Sequence, residues 1–221
     1  MESSDLVNPL TSDSPRAWDE LMESVGPASL LVVIESRMSV ALKRHTPPED
    51  IWQEAMLHAW RDRAQCEWRG IKSFRSWLLT IIDHRISHLA AATATQKRGA
   101  AIRVSSYSAM GGPPGGSVVG DSHLTGPICS TTPSRVAIFQ EQAESMRQAL
   151  ANLPGEFAEV VRLRLFEQLT LDEISKRLGI GLSVVRRRFG QGLEQYETAL
   201  RQALVSRSQQ PLSPPERHPN S

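Results

Sequence analysis

TLDEISKRLGIGLSVVRRRF, residues 170–189, is the stretch on which the reading of the fold turns. Thr170 stands three residues ahead of Glu173, which is the form of a capping box. The threonine oxygen can accept from the amide three residues on, and the glutamate can reach back. Leu171, Ile174 and Leu178 then recur at helical spacing, which predicts a short helix with one apolar face. Gly179-Ile180-Gly181 supplies a turn. A further helix, from about Leu182 to Val205, keeps Val185, Phe189, Leu193, Tyr196 and Leu200 on one side. Capped helix, glycine turn and arginine-bearing helix together make the layout of a helix-turn-helix. An α-helix fits the major groove of B-DNA, and residues near the start of the second helix meet base edges there. Ser183, Arg186 and Arg187 fall off the Val185/Phe189 face and can point outward. Arg188 is expected to reach phosphate, which the positive end of the helix dipole also favours. The competing reading of an arginine-rich helix taken alone is a solvated basic face.

Working outward, Arg135–Ala151 reads as a helix. Leu153-Pro154 opens another, through about Phe166, with Phe157, Val160 and Val161 inward. Residues 135–205 thus form one helical domain. The tail, 206–221, is rich in Ser, Pro and Gln and is expected to be disordered. Upstream the composition changes. From Ser105 to Ser134, 17 of 30 residues are Gly, Pro or Ser. Such a segment cannot bury enough apolar area to offset its ordering entropy. Residues 99–134 are therefore expected to form a flexible linker, spanning on the order of 30 Å on average and on the order of 100 Å when pulled straight.

Residues 14–98 read as a second all-helical domain, behind an acidic, frayed start at 1–13. Ser14 can cap a helix that Pro15 begins and that runs to about Met22. Ala28 to Arg44 reads as one helix with Leu31, Ile34, Met38, Ala41 and Leu42 on a single face. Thr46 is a plausible cap for the next, about Pro48 to Arg63, in which Trp52, Ala55, Met56, Ala59 and Trp60 make one apolar stripe. A loop, Ala64–Lys72, precedes a helix from about Ser73 to Ala92 that is expected to bury Phe74, Trp77, Leu78, Ile81 and Leu89. No segment alternates like a strand, so the fold class is all-α: two small helical domains joined by a flexible linker.

The whole-chain sums exclude more than they reveal. In 221 residues the formal net charge is only +1. That sum hides an acidic start, seven acids against Arg16 alone in residues 1–36, and a basic stretch at 160–201 with eight bases against five acids. A local basic patch of this kind is what a nucleic-acid site needs. Cys66 and Cys129 form neither a CxxC pair nor a zinc set, and reduced thiols in a cytoplasmic protein are expected. The N-terminus lacks a signal peptide's pattern, and the longest apolar run, Leu30–Ile34, is too short for membrane insertion. His84 and His88, at i and i+4, could share a metal, but neither a third ligand nor an HExxH glutamate stands nearby, so no metal site is assigned. No nucleophile constellation and no phosphate-binding loop occurs. Neither an enzyme, a cofactor nor a small-molecule substrate is expected.

Three motifs carry a family resemblance. Asp50-Ile51-Trp52-Gln53-Glu54-Ala55-Met56, followed by Ala59-Trp60, resembles the polymerase-binding helix of bacterial sigma factors. Ser73-Phe74-Arg75-Ser76-Trp77-Leu78, with Ile81, resembles the helix next to it. Leu150-Ala151-Asn152-Leu153-Pro154, Leu169–Ile174 and Val185-Arg186-Arg187-Arg188-Phe189 resemble the sigma domain that reads the upstream promoter element. Two such domains and a tether, with no further domain between or before them, match the extracytoplasmic-function group. The resemblance implies that Asp50, Gln53 and Glu54 face core RNA polymerase, and that the loop Ala64–Lys72 receives a base flipped from the downstream promoter element. There Trp68, Arg69 and Lys72 are the candidates, since a ring and cations suit an unstacked base and its phosphate. A Trp68 packed on its own domain is the alternative. Arg75, Arg85, Lys97 and Arg98 would track the promoter strand, and Ser183, Arg186, Arg187 and Arg188 would read the upstream element. The family often carries several arginines where this chain has Ala90–Thr95, and asparagine near His84. Implied partners are core polymerase and promoter DNA; an anti-sigma factor is a further candidate, on which the sequence is silent. A free-standing helix-turn-helix regulator is the alternative function, and a helical adaptor that binds only protein is a third.

Overall fold

The computed structural model describes residues 8–12, 14–97 and 133–208. The described residues contain helices and turns and no strand, as the all-α reading expects. They divide into two compact units, Met1–Ile138 and Phe139–Ser221. The expected linker, 99–134, lies outside the described residues except for Pro133 and Ser134, which already belong to a helix.

In the N-terminal unit, α1 (Pro15–Ser24), α2 (Pro27–Arg37), α3 (Val40–Lys43), α4 (Pro48–Arg61) and α5 (Ile71–Lys97) follow one another. α4 packs on α2 and α5. Leu30–Ile34 are buried all round α2, because it is covered on more than one side, whereas the sequence had suggested one apolar face. The expected single helix from Ala28 to Arg44 is instead two. Met38 turns extended, and the Ser39 hydroxyl caps α3 by accepting from the Leu42 amide at 3.2 Å. A serine that can serve as a cap competes with helix continuation, and here the cap wins. Ser14 occupies the cap position of α1 ahead of Pro15, but its hydroxyl makes no cap bond, and Pro47 rather than Thr46 occupies the cap position of α4. The stripe on α4 is buried at Trp52, Ala55, Met56 and Ala59, with Trp60 half-buried and Ile51 added. On α5 the buried line is Phe74, Leu78, Ile82 and Ile86, while Trp77, Ile81 and Leu89 are half-buried. The supposedly frayed start holds a 3-10 turn, Pro9–Thr11. The Asn8 side chain accepts from the Leu10 amide at 2.9 Å, and Leu10 is buried.

The C-terminal unit contains the end of α6 (Pro133–Ala151), then α7 (Gly155–Val161), α8 (Leu171–Leu178) and α9 (Leu182–Ser208). Between α7 and α8 a π-turn, Arg162–Phe166, replaces the expected straight run to Phe166. Its widened pitch is fixed at the exit, where the Glu167 amide donates to Arg162 O, and Gln168 adopts φ 58°, in the left-handed region. The core of this unit is Val160, Leu163, Ile174 and Val185, with Leu169, Leu171, Leu178, Ile180 and Phe189 packed around it. Gly192 lets α9 lie close on α7: a Cβ there would stand 2.9 Å from Val161 Cγ2 and 3.1 Å from Phe157 Cβ.

Candidate polymerase and nucleic-acid interfaces

The helix-turn-helix is assembled by the interactions that its sequence advertises. Thr170 Oγ1 accepts from the Glu173 amide at 3.2 Å, and Glu173 accepts from the Thr170 amide at 2.7 Å. The bonds that the Thr170 amide and hydroxyl donate to it hold the Glu173 carboxyl below the usual carboxylate range. Gly179, at φ 65°, ends α8 in the left-handed conformation that glycine adopts at least cost. Ser175 Oγ donates to Ile180 O at 2.6 Å and ties the turn to α8. Beneath it the buried Glu167 carboxylate accepts from Arg162, at the start of the π-turn, and from Arg177 on α8 at 2.9 Å. These contacts leave α9 with one side committed. Val185 is wholly buried, whereas Ser183, Arg186 and Arg187 on the other side are exposed. Arg188 is placed differently from its neighbours. It turns back to Glu156 on α7, at 2.5 Å, and its Nε is buried.

The N-terminal candidates separate in the same way. Asp50 and Gln53 stand exposed on α4. Glu54 is half-buried and accepts from Arg85 Nε at 3.0 Å. Arg85, only 8% exposed, is thereby turned inward and offers no cation to a DNA strand. Arg75 is 2% exposed and donates to Val25 O and, at 3.0 Å, to Ser29 Oγ. It joins α5 to the α1–α2 turn, and burial pulls its pKa down to about 10. The expectation that Arg75 and Arg85 track the promoter strand is corrected by this burial: a desolvated guanidinium is held by internal acceptors and cannot reach outside the fold. Lys72 is exposed, and Arg69 is exposed but donates to Glu67 at 2.7 Å. Trp68 is half-buried, its ring 6.1 Å from that of Phe74 and its Nε1 buried without a hydrogen-bond partner. Lys97 ends α5, and Arg98 lies outside the described residues.

Two features escaped the sequence reading. Leu57 is 50% exposed one turn beyond Gln53, an apolar residue on the polar side of α4. Its place off the buried stripe was visible in the helical spacing. His58 follows it, its pKa lowered by burial and by Arg61 and Arg85. Among the described residues no cluster of His, Cys, Asp and Glu could hold a metal, and no helix is long and apolar enough to cross a membrane.

The geometry is that of a helix-turn-helix, with a helical unit preceding it in the chain. A family model for sigma-70 region 2 matches residues 31–95, and one for sigma-70 region 4 matches residues 149–199. Together they take in about half of the chain, in the family's order. The chain therefore belongs to the sigma-70 family and is a sigma factor involved in promoter recognition. Among curated proteins none matches it.

Proposed function

We propose that this protein is a sigma factor of the extracytoplasmic-function kind, which binds core RNA polymerase in the cytoplasm and directs promoter recognition and melting without catalytic chemistry of its own. The observation that carries the reading is the two-sidedness of α9, with Val185 wholly buried and Ser183, Arg186 and Arg187 exposed at the start of a helix. Those three residues read the upstream element. On α4, Asp50 and Gln53 face the polymerase, with Leu57 beside them, and Glu54 contributes the part of its carboxylate that Arg85 leaves open. Melting falls to the Ala64–Lys72 loop, with Trp68, Arg69 and Lys72, and Lys97 and Arg98 continue the DNA path. An anti-sigma factor would compete for the same exposed face of α4. The region 2 and region 4 matches, with 96–148 unmatched between them, support the small two-domain kind.

The test is reconstitution with core polymerase on a genomic DNA library, followed by sequencing of transcript starts. A discrete set of starts that vanishes with Arg186→Ala plus Arg187→Ala is expected. Failure to join core polymerase, with footprinting of duplex DNA by the chain alone, would replace this reading with that of a free-standing regulator. Function that survives the double substitution would point to a protein-only adaptor.

A further inference from the structure

The geometry points to Arg188 and Glu156 as a positioning pair: Arg188 stays on Glu156 when DNA is bound and fixes how α9 presents Arg186 and Arg187. This rests on the proposed promoter-reading role of α9. Three consecutive arginines would ordinarily be counted as three DNA contacts. Here the third differs from the other two. Arg186 and Arg187 are exposed, whereas Arg188 has its side chain 26% exposed and its Nε buried. Its Nη2 meets Glu156 Oε2 at 2.5 Å. Glu156 lies in the first turn of α7, where a carboxylate is also favoured by the helix dipole.

The pair sits on the seam between α7 and α9. Arg188 precedes Gly192 by one helical turn, and Glu156 precedes Phe157, whose Cβ lies against Gly192. The glycine notch sets how near the helices come. The ion pair, one turn toward the reading end of α9, limits their rotation about that notch. A recognition helix that rolls by a fraction of a turn aims its side chains at the wrong base edges, so Arg188 affects discrimination without touching DNA.

The experiment uses full-length protein with core polymerase, on a promoter fragment recovered by the start-site mapping and on a random-sequence duplex of equal length. Salt dependence is measured for both. A lost phosphate contact lowers the salt slope by about 0.9, whereas a positioning residue leaves it unchanged. Arg188→Ala is expected to keep the wild-type slope and to lower the promoter-to-random affinity ratio about tenfold. Glu156→Ala should lower that ratio as much, and the double substitution no further, as residues acting through one interaction do. Arg188→Lys, which keeps a cation in reach of Glu156, should recover most of the ratio and serves if the alanine variants melt early. A slope reduced by about 0.9 in Arg188→Ala, with Glu156→Ala behaving as wild type, would overturn the pair and make Arg188 a phosphate contact. If wild-type holoenzyme shows no promoter preference at all, the promoter-reading role fails first, which separates the two failures.

Discussion

Two pairs of arginines, one pair in each unit, are placed in opposite ways. In the N-terminal unit, Arg75 and Arg85 point inward and hold backbone and carboxylate partners. In the C-terminal unit, Arg186 and Arg187 stand exposed at the start of α9. A cation inside a recognised motif can serve the fold or the partner, and what covers its side of the helix decides which. Arg75 falls one position after Phe74 and Arg85 one position before Ile86, on the buried side of a helix covered by α4. Arg186 also adjoins a buried residue, Val185, but its own side of α9 is exposed.

Arg75→Ala puts that contrast at most risk. It should cost the N-terminal unit about 3 kcal/mol, through the stranded Val25 carbonyl and the void left behind. All five tryptophans, Trp18, Trp52, Trp60, Trp68 and Trp77, lie in this unit, so tryptophan fluorescence in urea reads its unfolding alone. A loss under 1 kcal/mol would show that Arg75 does not join the helices.

Alkaline titration should then drive the units apart. Tyr196 is raised to about 12 by burial, and its ring packs edge-on against Phe166. Between pH 10 and 12 the folded state keeps a proton that the unfolded chain gives up, so the C-terminal unit loses stability as pH rises. Arg75 has the reverse sign. Its folded pKa of about 10 lies below its ordinary value, so above pH 10 its contribution to the N-terminal unit grows. Absorbance at 295 nm, compared with a Tyr196→Phe variant, should show phenolate forming near pH 12.

Gly192→Ala comes next, with a Cβ forced against Val161 and Phe157. It should cost the C-terminal unit about 2 kcal/mol, read by circular dichroism, with the tryptophan transition unmoved. Arg186→Ala should leave both unfolding transitions within about 0.5 kcal/mol. It should still weaken promoter binding by holoenzyme by about 1–2 kcal/mol. Stability lost in step with binding would place Arg186 with Arg75, among residues serving the fold. The smallest effect belongs to Gln168→Gly. Relieving a left-handed φ of 58° in a non-glycine residue should stabilise the C-terminal unit by up to about 1 kcal/mol.

Much of the site was legible because its signals are local. The capping box at Thr170 and Glu173, the glycine at 179 and the inward line from Val185 to Tyr196 each depend on residues a turn or less apart, and each is found in the structure. The corrections arise otherwise. The inward Arg75 and Arg85 depend on what a different element places opposite, and the π-turn at Arg162–Phe166 and the break at Ser39 were not marked by the apolar period.

The sequence by itself determined the fold class, the two helical segments and the motif that leads to the sigma-70 family, since helical period, caps and turns are written in spacings of three to four residues. Only the tertiary structure decided which arginines are available. Whether a guanidinium faces Val25, Glu54, Glu156 or solvent depends on helix neighbours 50, 31 and 32 positions away in the first three cases. A guanidinium that is covered by a neighbouring helix is held to whichever acceptor that neighbour offers, and no periodicity along one helix records that acceptor.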